Sequence, residues 1–100
     1  MHYPPAVALI NLVVKARTRP AAMEDAGAIA QAMRTAGIGR WRVLGPAPAP
    51  LGRLKGEHRA QVFIKGTQRN AMRKALLTVL AGRPELKRRA IVDVDPMSVL

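Results

Sequence analysis

The sequence predicts one α+β domain of order β-α-β-β-α-β, and three observations carry that prediction. Apolar residues alternate with other types around Ala6–Ala16, His58–Lys65 and Lys87–Asp95, the period of a strand. Two further stretches, after Pro20 and after Thr67, place apolar residues at helical spacing and stop at Gly37 and Gly82. A chain of 100 residues without cysteine has room for one domain, and it can build neither a disulfide framework nor a Cys-ligated zinc site. Two crossover units of this kind fit a ferredoxin-like two-layer sandwich. Right-handed connections then put both helices on one face of a four-stranded sheet and leave the other face open.

The first strand, Ala6–Ala16, turns Ala8, Ile10, Leu12 and Val14 inward, because Asn11 and Lys15 interrupt only the odd set. Pro20 suits the first turn of a helix, where its missing N–H costs little. Glu24 and Asp25 are expected near the positive end of that helix. Ala22, Ala26, Ile29, Ala30 and Met33 form its buried stripe, and Gly37 is expected as a left-handed stop. Arg40–Leu44 reads as a short strand around Trp41. The prolines of Gly45-Pro46-Ala47-Pro48-Ala49-Pro50 lack an N–H and push their neighbours toward extended conformations. That segment is expected as a stiff crossover outside the sheet. His58–Lys65 turns Ala60, Val62 and Ile64 inward and Arg59, Gln61, Phe63 and Lys65 outward. Thr67 can cap a second helix striped by Met72, Leu76, Val79 and Leu80, and Pro84 follows its end. Lys87–Asp95 closes the sheet. Residues 6–96 are expected to form the folded core, with 1–5 as a linker remnant of a longer protein.

Charge is the strongest bulk signal. Seventeen Lys and Arg against six Asp and Glu give a net +11. A polyanionic partner accounts for such an excess better than an ordinary solvated surface does. A membrane does not, because no apolar run approaches the roughly 20 residues of a bilayer span. No basic amphipathic helix carries bulky anchors either. Arg53, Lys55 and Arg59 cluster at the start of the third strand, Arg42 lies beside Trp41, and Arg59, Gln61 and Lys65 share one sheet face. These six residues, Arg42, Arg53, Lys55, Arg59, Gln61 and Lys65, are the candidate DNA-contacting set. With three aromatic residues in the chain, a multi-base stacking platform is excluded, and binding should be mainly to phosphate. About five neutralised phosphates would give a steep salt dependence.

A second candidate lies at the start of the second helix. Arg69 and Arg73 are four apart, with Lys74 beside them, near outward-pointing N–H groups. They can hold a carboxylate or phosphate; the alternative is a plain solvated helix side. Asp93 and Asp95 are expected to be tied to Lys87, Arg88 or Arg89 rather than to do acid–base or metal chemistry. His2 and His58 lack ligand spacing, and Trp41 and Phe63 are expected in the core. No Walker-type phosphate loop, nucleophile elbow or zinc-protease motif is present. No catalytic and no metal-ligating residues are assigned. An acylphosphatase-like enzyme would need an Arg and an Asn around one phosphate; Arg17 and Asn70 exist, but outside any Gly-rich cradle.

The run LGPAPAPLGRLKGEHRAQVFIKG, Leu44 to Gly66, resembles the C-terminal domain of primosomal protein N-prime, a bacterial replication-restart DNA helicase. Tyr3-Pro4-Pro5 and Asp93-Val94-Asp95-Pro96 resemble that family in the right order. The resemblance implies a non-catalytic C-terminal module, similar in fold to ribosomal protein S10, that packs on the helicase core. It implies a cytoplasmic, nucleoid-associated protein working with forked or single-stranded DNA and other primosome proteins. ATP, magnesium and zinc would belong to an N-terminal remainder, and no cofactor to this part. It further implies a site for the acidic tail of single-stranded DNA-binding protein, with Arg69 and Arg73 at the matching positions. His58 and Ala60 stand where the family often has aromatics, and Ala6 where one commonly follows Tyr-Pro-Pro. An RNA-binding module using the same basic face is the rival interpretation.

Overall fold

A computed structural model describes the backbone of residues 7–54 and 56–97; the side chains of 50–54 and 95–97 are outside the described set. The elements are β1 (Val7–Ala16), α1 (Arg19–Ala36), β2 (Trp41–Leu54), β3 (Glu57–Gly66), α2 (Arg69–Ala81), α3 (Pro84–Arg89) and β4 (Ala90–Met97). The strands form one antiparallel sheet in the order β2-β3-β1-β4. This is the ferredoxin-like α+β arrangement that the periodicities predict.

Strand β1 alternates strictly between buried and half-buried residues, so its even positions meet the helices. Ile10, Leu12, Val14, Val62 and Ile64 are packed from the sheet side against Ala22, Ala26, Ile29, Ala30 and Met33 of α1 and Met72, Leu76 and Leu80 of α2. The alanines let α1 lie close to the sheet. Thr18 caps α1 by accepting a hydrogen bond from the Ala21 N–H at 3.2 Å.

Several expectations fail in instructive ways. The proline run is no crossover. It continues β2 to 14 residues as the outer arm of a long hairpin with β3. Register shifts at Leu44/Ala47 and Pro48/Arg53 mark bulges. An edge strand tolerates proline because one row of its N–H groups has no partner to lose. Gly45 sits at the first bulge with φ +106°, where an added Cβ would lie 2.8 Å from the Gln61 carbonyl oxygen. Arg34, at the end of α1, donates to that bulge through the Gly45 carbonyl at 2.6 Å.

Gly37 is not left-handed; its φ is −115°. Glycine is needed there for space, since an added Cβ would meet Trp41 Cε2 at 2.0 Å. The first turn of α1 holds no acid. Asp25 instead binds Arg89 Nη1 at 2.9 Å, and the same nitrogen donates to the Lys15 carbonyl. Thr67 does not cap α2: the cap position is Gln68, which makes no capping bond with its side chain. Pro84 opens a short helix, so the last strand starts at Ala90 rather than Lys87. Arg88 pairs with Glu85 and Arg89 with Asp25, and neither ties down Asp93.

Candidate nucleic-acid and anion interface

The antiparallel register builds the open face of the sheet row by row. Arg42 lies opposite Lys65, which lies opposite Leu9. The next row is Leu44, Phe63, Asn11 and Asp93. Then come Ala47, Gln61, Val13 and Ile91. Arg59 and Lys15 form the last row. Positive charge therefore stands at both ends of the face on β1 to β3, with an apolar and amide centre between, while on β4 Asp93 joins the central row and Asp95 pairs in backbone register with Leu9. Six residue steps along β3 separate the two cationic rows, roughly 20 Å at strand rise.

Of the DNA-contacting set, Arg42, Arg59, Gln61 and Lys65 are brought onto this one face. Arg53 pairs in backbone register with His58, its side chain lying outside the described residues together with Lys55 and the Tyr3-Pro4-Pro5 motif. Phe63 is not core; it is half-buried on the open face beside Leu44, which is 50% exposed. Lys15 joins the set only through pairing with Arg59, a neighbour 44 positions away that local sequence cannot reveal. Among the described residues, the ion pairs are Arg88–Glu85 and Arg89–Asp25, so none of the four cations of this face is neutralised by one. Arg59 Nε and Asn11 Oδ1 are enclosed without hydrogen-bond partners.

At the upper end of the sheet, Gly39, Arg40, Trp41, Arg42, Lys65, Gly66 and Thr67 line a cleft of about 440 Å³. Trp41 is its floor, fixed by an Nε1 hydrogen bond to the Met33 carbonyl at 3.0 Å. The Arg40 guanidinium lies 4.9 Å from the Trp41 ring centroid and donates to Gln68 Oε1 at 3.1 Å. The side chain of Gln68 is thus engaged by Arg40, and α2 begins with no acid in its first turn. Residues 67–70 are exposed, so no part of the described chain covers the start of α2.

Arg69 and Arg73 are exposed and fall on one flank of α2. At about 100° per residue, Lys74 lies a further quarter turn round and faces away from that pair. Leu77 continues the flank one turn below Arg73 and is 50% exposed. The spacing 69, 73, 77 could have exposed this stripe from sequence, but a leucine at helical spacing is ordinarily a core residue. Arg17 follows the end of β1 that pairs with the start of β3, whereas Asn70 opens α2 beyond the end of β3. They stand at opposite ends of the sheet and cannot share a phosphate. Among the described residues no group of three or more His, Cys, Asp or Glu could hold a metal. No described helix is long and apolar enough to cross a membrane.

Fold and surface together define a small ferredoxin-like module with a cationic sheet face and a basic, uncapped second helix. Comparison with known proteins supplies the rest. Residues 1–97 match the primosomal protein N C-terminal domain, and the chain belongs to that family. It is 36% identical over 98 residues to the probable replication restart protein PriA of Deinococcus radiodurans, covering 98% of this chain and 10% of that relative. The chain therefore spans about a tenth of the length of that replication-restart protein. Among solved structures, the designed protein Foldit4 superposes with a TM-score of 0.65 at 11% identity, covering 94% of this chain and 99% of the other. A variant of SnoaB, a cofactor-independent oxygenase from Streptomyces nogalater, gives 0.51 at 19% identity, covering 96% and 94%. At such identities these two likenesses concern the fold alone. The family resemblance noted from Leu44–Gly66 is borne out, and the chain is a C-terminal domain of the replication-restart class.

Proposed function

We propose that this chain is the non-catalytic anion-binding module of a replication-restart DNA helicase. Its open sheet face holds the phosphates of forked or single-stranded DNA. The start of α2 takes the acidic tail of single-stranded DNA-binding protein. The observation that carries this reading is the alignment of Lys15, Arg42, Arg59 and Lys65 on one face without ion-pair partners among the described residues. Phosphate contacts of this kind position a duplex or strand and carry little sequence preference. The motor, with its ATP, magnesium and zinc, belongs to a remainder of the protein against which this domain packs. Other primosome proteins assemble there, in the cytoplasm.

For the tail, Arg69 and Arg73 offer planar forks that grip carboxylates in pairs, and the exposed first turn of α2 adds unpaired N–H donors. Leu77 continues the flank with an apolar contact, while Lys74 contributes only long-range charge. Arg69→Ala should weaken an acidic peptide about tenfold or more, the loss expected of a charge-assisted hydrogen bond. Forked DNA should lose less than about threefold, in line with a single screened charge removed. Titration of labelled peptide and labelled fork against the chain and the full restart protein decides this. Equal losses on both ligands would show that no separate tail site exists.

A further inference from the structure

The centre of the open face is not explained by phosphate binding. Phe63 is placed by register in the middle row between Asn11 of β1 and Leu44 of β2. It is the sole phenylalanine of the chain, and the fold leaves it partly uncovered on the side away from the core. The Asn11 carboxamide beside it has its oxygen enclosed with no donor. Rotating that amide by half a turn exchanges its oxygen and nitrogen, so no bond inside the fold commits it to one orientation. Gln61 adds a second amide in the next row. The two cationic rows, Arg42 with Lys65 and Lys15 with Arg59, close the patch at either end. Asp93 marks the β4 side as unfavourable for an anion.

We infer that this face is a lane for single-stranded nucleic acid, in which one unpaired base stacks on Phe63 and presents its edge to the Asn11 amide. The backbone runs along β3 between the two cationic rows, away from Asp93. At roughly 20 Å, the lane accommodates a short segment, on the order of four nucleotides, the lower end for single-strand grooves. A duplex keeps its bases stacked on one another and cannot offer one to Phe63. The lane therefore favours a strand whose bases are free. A protein partner with an acidic surface would suit the cationic ends, but it would leave the amide and aromatic centre without a matching role. The inference rests on the phosphate reading above and adds to it the strandedness and the stacked base.

The test separates the two. Short oligonucleotides carrying 2-aminopurine report stacking by loss of emission, and fluorescence anisotropy reports affinity. The probes are a 2-aminopurine-labelled oligothymidylate and a blunt duplex, titrated against the native chain, Phe63→Leu and the double variant Arg42→Ala/Lys65→Ala. Circular dichroism confirms that each is folded. The native chain should quench the probe. Phe63→Leu, which retains apolar volume, should lose about five- to a hundredfold in single-strand affinity, as for removal of one stacked base. It should also lose the quenching while keeping duplex affinity and salt dependence. The double variant should weaken both ligands. Undiminished quenching and affinity in Phe63→Leu overturn the stacked base and leave phosphate binding standing. Failure of the native chain to bind either ligand overturns both.

Discussion

Trp41→Ala is expected to lower the unfolding free energy by about 3–5 kcal/mol, the range for deleting a large aromatic from a packed site. The residue is 9% exposed and does more than fill space. Its ring covers Gly37 so closely that no Cβ fits between them. Its Nε1 gives a second donor to the Met33 carbonyl near the end of α1, which also accepts the Gly37 N–H at 3.0 Å. Its first carbon lies against Gly66, where β3 ends, an added Cβ there coming within 2.9 Å. One side chain thus locks the end of α1, the start of β2 and the end of β3. Urea unfolding followed by far-UV circular dichroism measures the change without relying on tryptophan emission. A loss under about 1 kcal/mol, the level of an ordinary surface substitution, would mean that the ring is not the lock. Gly37→Ala should be similarly costly in the native background, by forcing the ring out, and close to neutral once Trp41 is alanine. Two neighbours that act through one contact are non-additive in this way.

The open face was legible where strand period alone decides it. Arg59, Gln61 and Lys65 are two or four apart within β3, and no tertiary information is needed to set them on one side. The core stripe of α1 was legible for the same reason, at helical spacing. The proline segment was not. Prolines exclude a central strand, but an edge strand with bulges is open to them, and only the pairing with β3 distinguishes edge from crossover. Trp41 and Phe63 looked alike in the sequence as isolated aromatics among apolar residues. Trp41 is covered by α1 and engaged by Met33, whereas Phe63 is an odd residue of β3 and turns away from the helices. Its parity already pointed outward, and the general preference of aromatics for the core argued against it. Lys15 and Arg40 join their sites through register and through a contact with Gln68, neither of which lies within a local window. Helix arithmetic, by contrast, could have separated Lys74 from Arg69 and Arg73 at the outset.

Position, rather than total charge, should control DNA binding by this chain. Four cations, Lys15, Arg42, Arg59 and Lys65, share the described open face. If each neutralises one phosphate, log affinity for duplex should fall against log salt with a slope of about −3.6, and for single strand about −2.8. Raising salt from about 50 to 200 mM would then cost on the order of a hundredfold. That is gentler than five contacts would give. Replacing Arg42 and Lys65 by alanine should remove close to half the slope. Replacing Lys87 and Arg88, exposed on α3 rather than on a strand of the open face, subtracts the same two charges. Binding that depended on net charge alone would respond equally to either pair, whereas a charge more than a Debye length of about 8 Å from a phosphate is largely screened from it. A phosphate contact disappears only when its own cation does. Anisotropy titrations of the native chain and both double variants across the salt series read this directly. Equal flattening by the two pairs would rule out the sheet face as the DNA site, whatever the affinity of the native chain.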